Sequence, residues 1–328
     1  MKKNICLLFL VFVVLFNSCN NKQEDDLNLK HLDQISKNIN QELKHISNDL
    51  ENLTFSLRYK IPFDQPVEWD QKIYHKNKNL FYYSSFSENA SAIYLPGNIK
   101  LNTDIKKIIV NSQNLDSIFL NFIKEHVFVN QIYFIDTNSF LRIYPYIDIA
   151  KYFTKPINLK NFLPYQKVSH KPLLENKSYW INSPYADPYG RGWIISCVEP
   201  VYYRDEFIGI LSADITLKTL LSEYFSSASQ ILLLTDQKGN VICTTRLGCK
   251  LLGIPQHREF IYSKPVTENI LIYNYPSLSD HQNKNVRNAM DKLLSDKNIA
   301  DFTLDGKKYT IYKSIMKETN WLLLKIIN

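Results

Sequence analysis

The chain has 328 residues, of which 45% are hydrophobic, and a formal net charge of +7. Its lysines alternate with acids and form no dense basic stripe, which argues against nucleic-acid binding. Only 8 glycines are present, and none opens a G-x-G-x-x-G or Walker pattern, which excludes a Gly-rich phosphate loop. The length exceeds what one hydrophobic core usually holds, so two modules are expected.

The N-terminus has the layout of an export signal. Lys2 and Lys3 precede an apolar run from Ile5 to Phe16, which is too short for the roughly 18 to 20 apolar residues of a membrane span. Ser18 and Cys19 follow and resemble a bacterial lipoprotein box. We expect residues 1–18 to be removed as a signal peptide and Cys19 to be diacylated, which gives stable anchoring. The alternative is an ordinary signal peptide with an incidental cysteine.

Removal of residues 1–18 takes away two lysines and no acids, so the net charge falls from +7 to +5. This mild positive charge suits an anionic lipid surface and not a nucleic acid. The expected location is the bacterial cell envelope, with the chain lipid-anchored and facing the periplasm or the cell surface.

A long helix is predicted after the anchor. Apolar residues recur in steps of three and four from Leu32 to Leu57, which corresponds to an amphipathic rod of about 39 Å. Residues 20–28, rich in Asn, Gln, Glu and Asp, predict a flexible tether, so that 19–57 form a tether and stalk. The helix should end near Ile61-Pro62. Its apolar stripe can pair with a second copy or pack on the next domain, and we favour packing.

The following residues predict a domain spanning 58–215. A helical interlude covers 101–128, and strands at 131–135 and 140–144 flank an Asp-Thr-Asn-Ser turn. A second hairpin is predicted from 192–201 and 206–215. Together these four strands predict one antiparallel sheet.

A second, smaller sheet domain is predicted over 216–328. It begins with a connecting helix at 216–225, capped by Asp214 or Thr216. Two further hairpins follow, one from 231–235 and 241–245 and one from 307–315 and 320–327.

Cysteines and histidines give little indication of chemistry. Besides Cys19, the processed chain keeps Cys197, Cys243 and Cys249, an odd set, in which the last two can form a disulfide or remain buried packing residues. No G-x-S-x-G or H-E-x-x-H sequence is present, and the histidines are scattered at positions 31, 45, 75, 126, 170, 257 and 281. We therefore expect no enzyme activity and no cofactor.

Several segments together resemble a known family. The carriers are RIYPYID at 142–148, PYADPYGRG at 184–192, PVYY at 200–203, IGILSADITL at 208–217 and LTDQKGN at 234–240. They resemble the double Cache, or PDC-type, extracytoplasmic sensors over about residues 30–328. The resemblance implies an α+β fold in which a long N-terminal helix precedes two tandem PAS-like Cache modules with antiparallel sheets.

The resemblance also implies a function. Such proteins bind a small molecule in the membrane-distal module and signal, for example in chemotaxis, usually through a transmembrane domain. This chain is expected to lack that domain and to pass its signal to a separate membrane partner.

The resemblance further implies a binding site. In amino-acid-binding members, a Tyr-x-Asp and a later Asp hold the ligand ammonium, and these match Tyr185, Asp187 and Asp214 here. An Arg-x-Trp-Tyr stretch holds the carboxylate, but residues 162–165 (FLPY) keep only the tyrosine. Because the guanidinium is missing, a cationic amine-type metabolite is favoured over an α-amino acid, and other small polar metabolites are the alternative. The aromatic candidates for the pocket are Tyr144, Tyr146, Tyr165, Tyr179, Trp180 and Trp193.

Each candidate also has a purely structural interpretation. Asp187 can cap its own Asp-Pro-Tyr-Gly turn, Asp214 can be a helix N-cap, and Arg142 can lie on a strand surface. The alternative function is a surface lipoprotein that uses the Cache fold as a protein-interaction scaffold without a small-molecule ligand.

Overall fold

The computed structural model describes residues 2–70, 74–76, 80–83, 89–153, 155–169, 178–226, 229–255 and 276–328. It contains two compact units. The larger unit comprises Glu42–Ser226 with Pro255–Asn274, and the smaller unit comprises Met1–Gln41, Ser227–Ile254 and Tyr275–Asn328. The division follows residue 226 and not residue 215, because the connecting helix packs on strands of the larger unit. The Cys19 side chain, His170 and His257 lie outside what is described.

The first helix, α1, spans Lys2–Lys60. It ends directly before Ile61-Pro62, which confirms the predicted stop. The predicted flexible tether at 20–28 is wrong, because these residues continue the helix. They include no proline or glycine that would break it. Asp25 and Asn28 also accept hydrogen bonds from Tyr312 (2.6 Å) and Lys325 (3.1 Å).

The apolar stripe of α1 is buried in each unit in turn. Leu32 and Ile39 are buried in the smaller unit, and Leu43, Ile46, Leu50 and Leu57 are buried in the larger one. Packing on the domain that follows the helix is therefore confirmed for its second half only. Among the described helices, none combines the length and the apolar content that crossing a bilayer requires.

The larger unit contains an eight-stranded antiparallel sheet in the order β1-β2-β3-β5-β4-β8-β7-β6. The strands are β1 (Tyr74–Lys76), β2 (Leu80–Tyr83), β3 (Ala92–Pro96), β4 (Gln131–Asp136), β5 (Leu141–Tyr144), β6 (Tyr179–Ala186), β7 (Trp193–Tyr203) and β8 (Glu206–Thr216). Strands β4, β5, β7 and β8 are the four that the sequence predicted, and they confirm the single antiparallel sheet.

Helices of the larger unit cover parts of this sheet. They are α2 (Thr103–Asn111), α3 (Leu115–Glu125), α4 (Leu163–Val168) and α5 (Leu217–Tyr224), with 3-10 turns at Ser112–Asn114, Ile149–Lys151 and Leu159–Asn161. The predicted interlude is α2 and α3, and α2 is capped by Asn102, whose side chain accepts from the Ile105 N–H. The connecting helix α5 is capped by Thr216, whose hydroxyl accepts from the Thr219 N–H at 3.1 Å.

The smaller unit contains a five-stranded antiparallel sheet in the order β10-β9-β13-β12-β11. The strands are β9 (Ile231–Thr235), β10 (Val241–Thr244), β11 (Ile299–Leu304), β12 (Lys307–Met316) and β13 (Trp321–Ile327), and the helices are α6 (Arg246–Leu252) and α7 (Lys284–Leu294). Both predicted hairpins are confirmed. Cys243 and Cys249 are buried thiols and form no disulfide.

The two units repeat one topology. If the strands from β4 to β8 are counted one to five, their order is 2-1-5-4-3, and the strands from β9 to β13 have the same order. The first hairpin turn is also repeated. Asp136 accepts from the N–H groups of Asn138 and Phe140, and Asp236 accepts from those of Lys238 and Asn240. Each unit is therefore a PAS-like module built on the same plan.

Candidate functional site

A small cavity in the larger unit brings together the three residues predicted to hold an ammonium group. The volume open to the centre of a water molecule is about 10 Å³, which is room for about one water. The described residues that line it are Tyr133, Phe162, Leu163, Pro164, Tyr185, Asp187, Pro188, Tyr189, Ile194 and Asp214. The cavity is thus a compact chamber with two carboxylates and several aromatic rings in its wall.

Three neighbouring strands position Asp214. It lies in β8, where it pairs with Gln131 of β4 on one side and with Ser196 of β7 on the other. Gln131 Nε2 donates to Asp214 Oδ2 at 2.5 Å, and the Ser196 hydroxyl donates to Oδ1 at 2.6 Å. The Ser212 hydroxyl also lies 3.2 Å from Oδ1. The carboxylate is held in place by neutral donors.

Asp187 lies just after β6, in the turn that leads to β7. Its Oδ1 accepts from the Tyr189 N–H at 3.1 Å, and its Oδ2 accepts from the Arg191 N–H at 3.0 Å. The Asp187 N–H donates to the Gly192 carbonyl at 2.8 Å and closes the turn. The interpretation of Asp187 as a turn cap is therefore confirmed, and the same carboxylate also lines the cavity.

Gln131 links the two carboxylates. Besides its bond to Asp214, its Nε2 lies 3.4 Å from Asp187 Oδ1. Gln131 is 1% exposed, and its Oε1 has no hydrogen-bond partner among the described residues. One amide group therefore donates towards both acids and leaves an acceptor unused.

Burial dominates the electrostatics of the site. Desolvation raises the pKa of Asp214 to about 7, against the opposing effect of the Ser196 and Gln131 hydrogen bonds. Desolvation also raises the pKa of Asp187, although the nearby Arg191 and two backbone N–H groups oppose it. Near neutral pH the pair therefore has fewer than two full negative charges, and added positive charge would favour ionisation.

Tyrosine hydroxyls complete the polar wall. Tyr185 OH lies 2.5 Å from Ser196 Oγ. Because the single Ser196 proton is donated to Asp214, Tyr185 is the donor in this pair. Burial raises the pKa of Tyr133, Tyr185 and Tyr189 well above the usual value, so all three are neutral phenols at physiological pH.

The other predicted aromatic residues are not among the residues that line this cavity. Tyr165 contacts the ring of Phe207 at 6.0 Å, in the same core as Tyr146, which packs against it. Tyr144 is buried at the end of β5, Tyr179 and Trp180 lie in β6, and Trp193 begins β7. Among the residues at 162–165, Phe162, Leu163 and Pro164 line the cavity, so apolar groups occupy this part of the wall.

Two structural interpretations are wrong. Asp214 is not an N-cap, because Thr216 caps α5 and the Asp214 carboxylate points to Gln131, Ser196 and Ser212. Arg142 is not on a strand surface, because it is 3% exposed. Its guanidinium donates to Ser112 Oγ (3.0 Å), Asp116 Oδ1 (2.9 Å) and the Ile109 carbonyl (2.9 Å). It therefore joins β5 to α2 and α3.

Sequence reasoning missed Gln131, Ser196 and Ser212. A usable signal was present, since the predicted strands already contained all three residues. Antiparallel register pairs Gln131 and Ser196 directly with Asp214, and it places Ser212 on the same face two residues away. A register assignment would have revealed the polar cluster.

Comparison with known proteins identifies the fold. No family model matches this chain, and no curated protein matches it. The ligand-binding domain of the Pseudomonas fluorescens chemoreceptor CtaA in complex with L-isoleucine does match: it is 12% identical, covers 95% of this chain and 94% of its own, and has a TM-score of 0.55. The CtaA domain in complex with L-serine is also 12% identical, with 94% and 98% covered and a TM-score of 0.54.

A second chemoreceptor gives the same result. The sensory domain of Campylobacter jejuni Tlp3 with isoleucine bound is 14% identical, covers 92% of this chain and 93% of its own, and has a TM-score of 0.51. The chain therefore has the double Cache fold that the sequence motifs implied.

Proposed function

We propose that this chain is an extracytoplasmic sensor that binds a cationic amine-type metabolite in the cavity of the larger unit. The observation that supports this most directly is the pair of buried carboxylates of Asp187 and Asp214, which line one cavity and share the Gln131 amide. An ammonium group would supply the charge that the neutral donors to Asp214 do not, because buried ions are stable only when paired.

The lining favours an amine over an amino acid. The side chains of Phe162, Leu163 and Pro164 offer no donor for a ligand carboxylate at the positions where amino-acid-binding relatives are expected to have arginine and tryptophan. The rings of Tyr133, Tyr185 and Tyr189 provide faces that suit a cation. Any amine larger than a water molecule requires these side chains to move apart, since the open volume is about 10 Å³.

We also propose that the chain is exported and held to a membrane by lipid on Cys19. The lipoprotein box and the apolar run before it support this assignment. Because the fold is one that chemoreceptors use for sensing, the occupancy of the site would be passed to a separate membrane protein.

A second candidate function is a protein-interaction scaffold without a small-molecule ligand. The small size of the cavity favours it, as do the hydrogen bonds that already occupy Asp187. The two candidates differ in whether a small amine binds at Asp214.

A binding screen distinguishes them. The full chain, purified in detergent, is tested by thermal shift against primary amines, with and without a carboxylate, and hits are measured by calorimetry. We expect an amine without a carboxylate to raise the melting temperature. As the pH increases towards 7, the affinity should rise about tenfold per pH unit, and above pH 7 it should level off. The reason is that Asp214 must ionise to bind the amine, and its pKa is about 7.

Matched variants locate the binding. Asp214→Asn keeps the shape but removes the charge, and it should abolish the shift. Asp301→Asn makes the same chemical change at an exposed position of β11, where Asp301 forms an ion pair with Lys308 at 2.9 Å. This variant should bind the amine like wild type. If no amine produces a shift, or if Asp214→Asn binds with unchanged affinity and pH dependence, the sensor assignment is wrong and the scaffold is favoured.

A further inference from the structure

Three potential metal ligands meet where α1 crosses the end of α3 in the larger unit. His45 and Asp49 lie one helical turn apart on α1, and His126 is the C-cap residue of α3. Asp49 Oδ2 lies 3.2 Å from His45 Nε2 and 3.1 Å from His126 Nε2. The three ligand atoms all lie within 4.8 Å of one another.

His126 is an unusual member of this cluster. Its side chain is 0% exposed. Nε2 lies 3.1 Å from the Asp49 carboxylate, whereas Nδ1 has no hydrogen-bond partner among the described residues. Its ring packs against that of Phe122, with centroids 4.5 Å apart. A buried imidazole with an unsatisfied nitrogen is costly. It therefore points to a partner that accepts a lone pair at this position.

We propose that His45, Asp49 and His126 bind a divalent transition-metal ion of the zinc class. Two atoms that are each about 2.0–2.1 Å from zinc at a tetrahedral angle are about 3.4 Å apart. The 3.1 and 3.2 Å separations from Asp49 are close to this value. His45 has a side chain that is 61% exposed, so its ring is free to turn and bring the two imidazole nitrogens closer together.

The donor set selects the class of metal. Two imidazoles and one carboxylate suit zinc, with a fourth position left for water. Nickel and copper fit the same nitrogen ligands, whereas magnesium and calcium prefer oxygen ligands and should bind poorly.

The bound metal would have a mechanical consequence. Within the larger unit, the cluster joins α1 to the end of α3. A metal there would fix this part of α1 against the end of α3. Metal availability would therefore set how firmly this part of the helix is held. This proposal is independent of the amine site.

Zinc titration of the metal-depleted full chain tests the proposal. The chain is stripped with a chelator in detergent, and zinc binding is followed by calorimetry and thermal shift, with magnesium as a comparison. We expect zinc, and not magnesium, to raise the melting temperature. Cobalt should give the visible spectrum of a nitrogen and oxygen site, without the strong band of sulfur ligands that would indicate cysteine.

Variants assign the ligands. His45→Ala changes an exposed ring, so the protein should fold, and it should weaken zinc binding by more than the roughly 10- to 100-fold that loss of an outer-shell partner causes. Asp49→Asn should do the same. His31→Ala is the matched control, an exposed histidine on the same helix, and it should leave binding unchanged. Unchanged zinc affinity in His45→Ala, or no zinc binding by wild type, would overturn the proposal.

Discussion

Replacement of Asp214 by asparagine should make the stability of the larger unit less sensitive to a rise in pH from acid towards neutral. The carboxylate is 1% exposed, and burial raises its pKa from 3.8 to about 7. Between these values the folded protein holds a proton that the unfolded chain releases. Stability from this proton is present at low pH and is lost as the pH rises towards 7.

The size of the effect follows from the pKa difference. Each factor of ten in a proton equilibrium corresponds to about 1.4 kcal/mol. From about pH 5 to about pH 8, the free energy of unfolding of wild type should therefore fall by roughly 2.5 kcal/mol more than that of Asp214→Asn. Asp187 is present in both proteins, so its own titration largely cancels. Asparagine also keeps a hydrogen bond available, because Gln131 can turn its unused Oε1 towards the new amide.

Urea unfolding at a series of pH values measures this difference. Tryptophan fluorescence reports mainly on the larger unit, which contains Trp69, Trp180 and Trp193, whereas Trp321 lies in the smaller one. Asp301→Asn should show no slope relative to wild type over this range, because the Lys308 hydrogen bond lowers the pKa of Asp301 below 3.8. Parallel pH profiles for wild type and Asp214→Asn would refute the raised pKa and the electrostatic argument for the site.

Two further substitutions test the framework around the site, both by urea unfolding. Arg142→Ala should lower the free energy of unfolding by about 3–5 kcal/mol, because it leaves Asp116 and the Ile109 carbonyl without their buried partner. A loss below about 1 kcal/mol would show that the ion pair contributes little to stability. Gly209→Ala should lower the free energy of unfolding by more than about 1 kcal/mol. Gly209 has a φ of +156°, and an added Cβ would clash with the Ile135 carbonyl oxygen. An unchanged free energy of unfolding would contradict this close approach of β8 to β4.

The fold could be predicted where the sequence pattern is local. Alternating or continuous apolar runs gave β4, β5, β7, β8 and the hairpins of the smaller unit, and the proline at 62 gave the end of α1. Two segments with clear patterns were missed nevertheless: β11 (IADFTL) alternates buried and exposed residues, and α7 buries Val286, Ala289, Met290 and Leu293 at helical spacing. The tether at 20–28 was mistaken for a flexible segment because its stability comes from distant partners, Tyr312 and Lys325.

The site was predicted only in part, for the same reason. Asp187 and Asp214 stand out in the sequence because they lie in motifs, but their environment depends on which strands are neighbours. Gln131 is an ordinary residue at the start of a strand until register places it beside Asp214. The absence of the arginine guanidinium was visible in the sequence. That Phe162 and Pro164 line the same cavity as the two carboxylates was not.

The repeated topology separates what the fold needs from what the site adds. In the larger unit, Asp214 pairs with Gln131, the first residue of β4, and with Ser196. At the corresponding place in the smaller unit, Ile326 pairs with Ile231, the first residue of β9, and with Ile311.

The correspondence is fixed by the turn aspartates, since Asp136 and Asp236 each lie five residues after those first positions. The same sheet thus forms with three isoleucines in place of a glutamine, an aspartate and a serine. Apolar residues at such positions are stabilised by burial, whereas a buried carboxylate loses solvation. Because the fold does not require the polar trio, its presence in the larger unit alone supports the proposed binding role.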